Sequence, residues 1–152
     1  MKLTQKQAIR PLKQGEEEIL LTLIKELAQY EKNDPPSLIV EKLQSYLSKS
    51  LFQVELAEHE DEIVGYALYY YGFAAHKGFP ILYLEDLYVK PPFRKAGIGS
   101  ALIKKMTEYA KQNECCRISW LVLSWNEQAI AFYKKIGCTL RNDLIPVRLE
   151  IS

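Results

Sequence analysis

Arg94-Lys95-Ala96-Gly97-Ile98-Gly99-Ser100 is the stretch on which the reading of this chain depends. Ahead of it, residues 81–89 form an apolar, aromatic run with the composition of a buried strand. Behind it, Ile98, Leu102, Met106, Tyr109 and Ala110 recur at intervals of three and four, which predicts an amphipathic helix to about residue 115. The glycines therefore stand where a strand gives way to a helix. There the first helical N–H groups lack partners, the dipole is positive, and a missing Cβ lets another molecule approach the backbone. Such a place suits a pyrophosphate, and Arg94 adds a forked cationic donor. The loop reads as a holder of cofactor phosphates. Spacing excludes two other phosphate loops. A Walker loop requires Gly-Lys-Ser/Thr, whereas Gly99 is followed by Ser100 and Ala101, and the dinucleotide fingerprint requires a third glycine where Leu102 stands.

Composition narrows the class. The chain has 152 residues, 48% hydrophobic and 26% charged, which fits one α/β domain across residues 1–152. A net charge of +1 gives no electrostatic case for a nucleic-acid or membrane partner. No apolar run reaches the roughly 18 residues of a membrane span. Residues 1–7 are polar, carry two lysines and lack the apolar core of a signal peptide. Three cysteines, two of them adjacent (Cys115, Cys116), and two distant histidines (His59, His76) suggest neither a disulfide framework nor a metal site. A cytoplasmic protein is expected.

Outward from the loop, the pattern predicts a short strand at residues 8–11 and a helix over 16–30, whose first turn carries Glu16, Glu17 and Glu18. Asn33-Asp34-Pro35-Pro36 breaks it, and a second helix is expected over about 37–47. Residues 52–56 and 62–71 read as a hairpin about the turn His59-Glu60-Asp61, with 72–80 as a loop. Residues 118–123 read as another strand and 128–135 as a short helix ended by Gly137. Leu140 and residues 147–151 suggest one or two closing strands. The layout is α/β.

Arg-x-x-Gly-x-Gly before a helix resembles the acyl-coenzyme A loop of the GCN5-related N-acetyltransferase (GNAT) superfamily, and the order of elements resembles that whole fold. The fold it implies is a single domain with a mixed, mostly antiparallel sheet of six to seven strands flanked by about four helices. Four segments resemble the diamine (spermidine/spermine) N-acetyltransferases: residues 23–31, residues 82–89, Gly97-Ile98-Gly99-Ser100, and Trp125-Asn126-Glu127 leading to Phe132-Tyr133-Lys134. The resemblance implies transfer of acetyl from acetyl-coenzyme A to a primary amine of a diamine or polyamine by direct attack in a ternary complex. A homodimer is also implied.

By the same resemblance, the cofactor lies against Leu87, Tyr88, Val89, the loop Arg94, Lys95, Ala96, Gly97, Ile98, Gly99, Ser100, and Asn126, Gln128, Ala129 and Tyr133. Tyr133 is the expected acid for the departing thiolate, and Glu85 the group that binds or deprotonates the amine. Two carboxylates, Glu85 and Asp86, inside an apolar strand are costly unless compensated, which also marks them as site candidates. They alternate in direction, so one pocket is expected to receive only one of them. Tyr30, Glu31, Asp86 and Trp120 complete the expected amine site. Simpler readings stand beside these: ion-paired carboxylates, Asn126 as a helix cap, Tyr133 as core. Residues 138–147 lack the acidic and tryptophan residues that close the amine site in the animal diamine enzymes. Arg141 and Arg148 instead favour an alternative, the same chemistry on an amino-acid amine such as lysine or thialysine. A further alternative is an acyl-coenzyme A binding module without turnover.

Overall fold

The computed structural model describes residues 6–151, so most of the polar N-terminal stretch, residues 1–5, lies outside the described residues. In chain order the elements are β1 (Gln7–Pro11), α1 (Glu17–Tyr30), α2 (Val40–Ser48), β2 (Gln53–His59), β3 (Glu62–Ala74), β4 (Phe79–Val89), a 3-10 turn (Pro91–Phe93), α3 (Ile98–Gln112), β5 (Ile118–Ser119) and α4 (Glu127–Lys135). They fall into two compact units, Met1–Leu121 and Val122–Ser152.

In the first unit the strands follow one another across a five-stranded sheet in the order β1-β2-β3-β4-β5. All neighbours are antiparallel except β4 and β5, which run parallel. β3 is the central strand and is buried on both faces through most of its length. Its two faces divide the core, and a register shift against β2 at Ala57/Glu58 sends Val64 and Tyr66 to opposite faces. Tyr66 and Leu68 join Leu20, Leu23, Leu27 of α1, Leu43 of α2 and Leu56 of β2 on one face. Val64 and Tyr69 join Leu82, Leu84 and the α3 residues Ile98, Leu102 and Met106 on the other. The helical spacing that marked α1 and α3 is thus the spacing of the residues they bury.

Local chemistry fixes the start of α1. Glu16 takes a bidentate pair from Arg10 of β1, at 2.7 and 3.0 Å, and its Oε2 accepts the N–H of Lys13 at 2.8 Å. Arg10 also reaches Glu58 of β2 at 3.3 Å. The Arg10 hydrogen bond holds the Glu16 carboxyl below its ordinary range. Gly65 meets a different demand. A Cβ there would lie 2.5 Å from the Tyr88 carbonyl oxygen, so the approach of β3 to β4 requires glycine.

Several expectations are corrected. The sheet has five strands where six to seven were expected, because residues 138–151 form no strand and the expected strand over 118–123 pairs with β4 only through Ile118 and Ser119. The hairpin is longer than its punctuation suggested. Gly72 and Pro80 lie inside β3 and β4, and only residues 75–78 turn. The second helix begins at Val40, not at Ser37.

The second unit contains α4. Asn126 caps it, its Oδ1 accepting the N–H of Ala129 at 3.2 Å. Gly137, at φ 91°, ends it in the left-handed conformation that glycine tolerates. Among the described residues no helix is long and apolar enough to cross a membrane, and no group of three histidine, cysteine or carboxylate side chains could hold a metal ion.

Candidate functional site

The loop at residues 94–97 has the geometry that its sequence suggested. Lys95 and Gly97 both have positive φ, 62° and 85°, and Gly97 is the residue that α3 starts from. The first bond of that helix runs from the Ala101 N–H to the Gly97 carbonyl at 3.0 Å. The N–H groups of Ile98, Gly99 and Ser100 therefore precede the helical ladder and face the positive end of the dipole. The 15-residue length of α3 sustains that dipole. The donor set fits a pyrophosphate, with Lys95 exposed beside it.

Arg94 has a second occupation. Its Nε donates to the Val89 carbonyl at 2.8 Å, while its guanidinium carbon lies 4.9 Å from the Tyr30 ring centroid and 5.8 Å from that of Tyr88. The Tyr88 hydroxyl in turn donates to Glu26 of α1 at 3.0 Å. Burial first, and then this bond, push the Tyr88 hydroxyl up to about 12. Arg94, the first residue of the loop, is thereby seated between the end of α1 and β4.

On β4 the register with β3 slips between Leu68 and Tyr69. Leu68 faces Asp86, Tyr69 faces Leu84, and Glu85 is the extra residue of a β-bulge. The bulge corrects the expectation that alternation would send Glu85 and Asp86 to separate pockets. Asp86 accepts the Tyr66 hydroxyl at 2.8 Å, and Glu85 accepts the Tyr70 hydroxyl at 3.2 Å. Tyr66 and Tyr70 lie on the same face of β3, so both carboxylates are drawn to the α1 side. Tyr83 stacks on Tyr70 with centroids 5.2 Å apart.

Glu31, just past α1, belongs to the same constellation. Burial raises its pKa above the ordinary carboxylate value, and the negative charges of Asp86 and Glu85 raise it further. Asp86 is also raised, by burial first and by Glu85, with the Tyr66 hydrogen bond acting in the opposite direction. Burial and the Asp86 charge hold the Tyr66 hydroxyl far above its usual range, so it is a fixed donor. Burial and Glu85 push Tyr70 up to about 12. Burial and neighbouring negative charge thus raise the proton affinity of Glu31 and of Asp86.

Beyond Tyr83, no described strand pairs with the β5 side of β4, which leaves one edge open along residues 84–89. The backbone of Leu87, Tyr88 and Val89 lies on that stretch. Leu87 and Val89 pack their side chains toward α3, while Tyr88 is 6% exposed in the core against α1. Trp120 packs against the α3-side core, and Tyr83 stands nearer the carboxylates, raised by burial and by Glu85. Sequence reasoning missed Tyr66 and Tyr70. Their signal was the run Tyr69-Tyr70-Tyr71 together with the hairpin register, which a bulge makes unreadable from the chain alone.

In the second unit, Tyr133 lies on α4 and is 8% exposed, with Phe132 tilted against it at 5.5 Å. The Asn126 side chain and the Ala129 N–H are engaged with each other, and Gln128 is exposed. Arg141 forms a bidentate pair with Asp143 at 2.6 and 2.8 Å, and Arg148 pairs with Glu150 at 3.6 Å. Each arginine of the tail thus carries its own carboxylate. All three cysteines are free thiols, and burial raises Cys115 and Cys138 away from the thiolate form.

Residues 18–138 match the acetyltransferase (GNAT) family, a span that takes in parts of both units. The chain is 39% identical to thialysine N-epsilon-acetyltransferase of Bos taurus over 140 residues, 85% of this chain and 82% of that protein. It is 32% identical over 139 residues to spermidine/spermine N(1)-acetyltransferase-like protein 1 of Homo sapiens, covering 85% of this chain and 20% of the human one. Among solved structures, an integron cassette protein from the mobile metagenome of V. cholerae is similar at 29% identity with a TM-score of 0.80, covering 97% of this chain and 94% of its own.

Proposed function

We propose, from the premise that the chain belongs to the acetyltransferase (GNAT) family and so acetylates amines with acetyl-coenzyme A as donor, that its acceptor is a primary amine of a linear diamine or polyamine. The observation that carries this reading is the gathering of Glu31, Glu85 and Asp86, in which burial and the neighbouring carboxylate charges raise Glu31 and Asp86. The main electrostatic influences on Glu31 after burial are two like charges. A bound dication relieves that repulsion, and one carboxylate for each ammonium is the recognition that chemistry allows. Tyr70 and Tyr83, stacked beside Glu85, offer an aromatic wall to the methylenes between the amines.

In this reading the N–H groups that open α3, with Lys95 and the Nη groups of Arg94, bind the donor's phosphates. The open edge at Leu87–Val89 bonds its pantetheine arm. Ala96, Asn126, Gln128 and Ala129 line the donor by packing more than by donating hydrogen bonds, since the Ala129 N–H serves the helix cap. Glu85, at its exposed bulge position, accepts a proton from the substrate ammonium, the freed lone pair attacks the thioester carbonyl, and as the C–S bond breaks Tyr133 gives a proton to the departing coenzyme A thiolate. Direct attack is supported by the raised thiols of Cys115 and Cys138, which make poor nucleophiles. Three free thiols also suit a reducing, cytoplasmic setting. The working form is read as a homodimer, in keeping with the exposed apolar side chains of Val147, Leu149 and Ile151 in the tail.

A second reading, an amino-acid amine, is favoured by the thialysine acetyltransferases among the relatives, at 33% to 39% identity. It requires a cation for the substrate carboxylate. Arg141 and Arg148 could serve only by giving up Asp143 and Glu150. The two readings separate in a thiol-release assay with acetyl-coenzyme A against putrescine, spermidine, spermine, lysine, thialysine and aminoglycosides. Preference for a diamine or polyamine supports the acidic slot. Preference for thialysine or lysine replaces it with the second reading, and turnover of neither class overturns both.

A further inference from the structure

The face of the β3–β4 ribbon that holds Glu85 continues well past the carboxylates. Beyond the bulge the pairing is regular, with Tyr70 opposite Tyr83, Gly72 opposite Ile81 and Ala74 opposite Phe79. Side chains two apart share a face, so these six lie on the side to which the Tyr70 hydroxyl meets Glu85. Together they make an apolar strip. Tyr70 and Tyr83 stack at its head, and Phe79 ends it, half exposed. Between them a Cβ on Gly72 would lie 3.2 Å from Ile81 Cγ1, so the Ile81 side chain takes the space that a larger residue at 72 would fill. At about 3.3 Å per residue the strip runs roughly 13 Å from Tyr83 to Phe79. Its charge pattern differs sharply from that of the slot. From Tyr69 to Leu84 the chain holds no carboxylate, and its one lysine or arginine is Lys77, exposed in the turn.

We infer that this strip seats an apolar substituent of the acceptor, so that the substrate is a diamine carrying an alkyl or arylalkyl group on the nitrogen remote from the one acetylated. Two directions lead along β4 from the carboxylates. The one toward Leu87, Tyr88 and Val89 belongs to the donor. What the acceptor carries beyond its second ammonium therefore runs the other way, over Tyr83, Ile81 and Phe79. Tyr70 joins the two parts, its hydroxyl on Glu85 at 3.2 Å and its ring stacked on Tyr83 at 5.2 Å. Charge decides between the possible occupants. A third ammonium, as in a longer polyamine, would leave water for a surface without a carboxylate and would approach Lys77 at the far end, which is unfavourable on both counts. An alkyl chain or an aromatic ring removes apolar area of its own and of the strip from water, which is favourable. An exposed apolar patch that borders a polar site is the usual mark of a ligand surface.

The inference rests on the diamine reading and narrows it. The test is kcat/KM with saturating acetyl-coenzyme A for N-benzylputrescine, putrescine, spermine and butylamine. In the wild type the benzyl compound should exceed putrescine by about tenfold, as partial burial of one ring allows, while spermine shows no gain over putrescine. Phe79→Glu, at an exposed position, sets a carboxylate at the far end of the strip. It should bring the benzyl compound to within about twofold of putrescine and raise spermine at least about threefold relative to putrescine. Phe79→Ser removes the ring without adding charge and should lower the benzyl advantage alone. Every readout is a ratio to putrescine on the same protein, so a general loss of activity or stability in a variant cancels. A wild type that treats N-benzylputrescine and putrescine alike, a wild-type preference for spermine, or a benzyl advantage that survives both substitutions overturns the strip. Putrescine still ahead of butylamine would then leave the acidic slot standing. Equal efficiency for putrescine and butylamine overturns slot and strip together.

Discussion

Replacing Tyr30 by Leu should weaken the binding of acetyl-coenzyme A, although the family resemblance assigns Tyr30 to the amine. The reason lies in the seat of Arg94. Its guanidinium carbon is 4.9 Å from the Tyr30 centroid and 5.8 Å from the Tyr88 centroid, and its Nε is committed to the Val89 carbonyl at 2.8 Å. The two rings and that bond hold the guanidinium, with its Nη groups left for phosphate. A partly exposed cation–π contact is worth about 0.5–2 kcal/mol, and the nearer ring supplies the larger share. Losing it should cost about 1 kcal/mol, or about fivefold in Kd. The assay is calorimetric titration of coenzyme A in the absence of amine, which isolates the donor site. Tyr30→Phe keeps the ring and should bind as the wild type does. Unchanged affinity in Tyr30→Leu would show that the stacking does not position Arg94. Equal weakening in both variants would transfer the effect to the hydroxyl. Should Arg94→Ala also leave coenzyme A affinity intact, the loop assignment itself would fail.

Other perturbations probe other parts of the structure. Gly65→Ala should destabilise the fold by about 1–3 kcal/mol in chemical denaturation, because its Cβ would meet the Tyr88 carbonyl at 2.5 Å and a backbone atom cannot move aside as a side chain does. A loss below about 0.5 kcal/mol would mean that β3 and β4 separate easily there. The carboxylates Glu31 and Asp86 are both raised, chiefly by burial. Their folded forms hold the proton more tightly than the unfolded chain does, so they favour folding at low pH, and that contribution is lost as pH rises from the unfolded values through the raised ones. Amine capture runs the other way, since it needs the charged forms. The acid limb of kcat/KM for the amine should therefore lie above the ordinary carboxylate range and shift in Asp86→Asn, whereas a limb at the ordinary value would mean that neither group binds substrate. Tyr133→Phe should lower kcat by about 10–100-fold with coenzyme A affinity nearly intact, and unchanged kcat removes Tyr133 from the acid step.

Much of this was legible in the chain because the signals were local. The glycine loop, the apolar faces of α1 and α3, and Gly137 after α4 each follow from neighbouring residues, and the structure has them where the pattern put them. What was lost depended on pairing. The Glu85 bulge exists only in the register of β4 against β3, so strict alternation separated two carboxylates that the fold unites. Gly72 and Pro80 read as turn residues, yet the ribbon accommodates both, with Gly72 facing Ile81. The closing strands failed for the opposite reason. Residues 145–151 have the alternation of a strand, but a strand is defined by its neighbour, and a single chain supplies none. Of the amine-site candidates, Glu31, Glu85 and Asp86 come together, whereas Trp120 packs with the α3-side core. Asn126 shows its plainer role, that of a helix cap.

The most direct test of the acidic slot is a comparison of kcat/KM for putrescine and for butylamine, its monoamine counterpart, with acetyl-coenzyme A saturating. If Glu31, Glu85 and Asp86 read a second ammonium, one more cation at a part-buried carboxylate should be worth about 1–2 kcal/mol after screening, a preference of roughly tenfold for putrescine. Equal efficiency for the two amines would contradict the account, because a site that ignores the second charge has no use for three carboxylates gathered together.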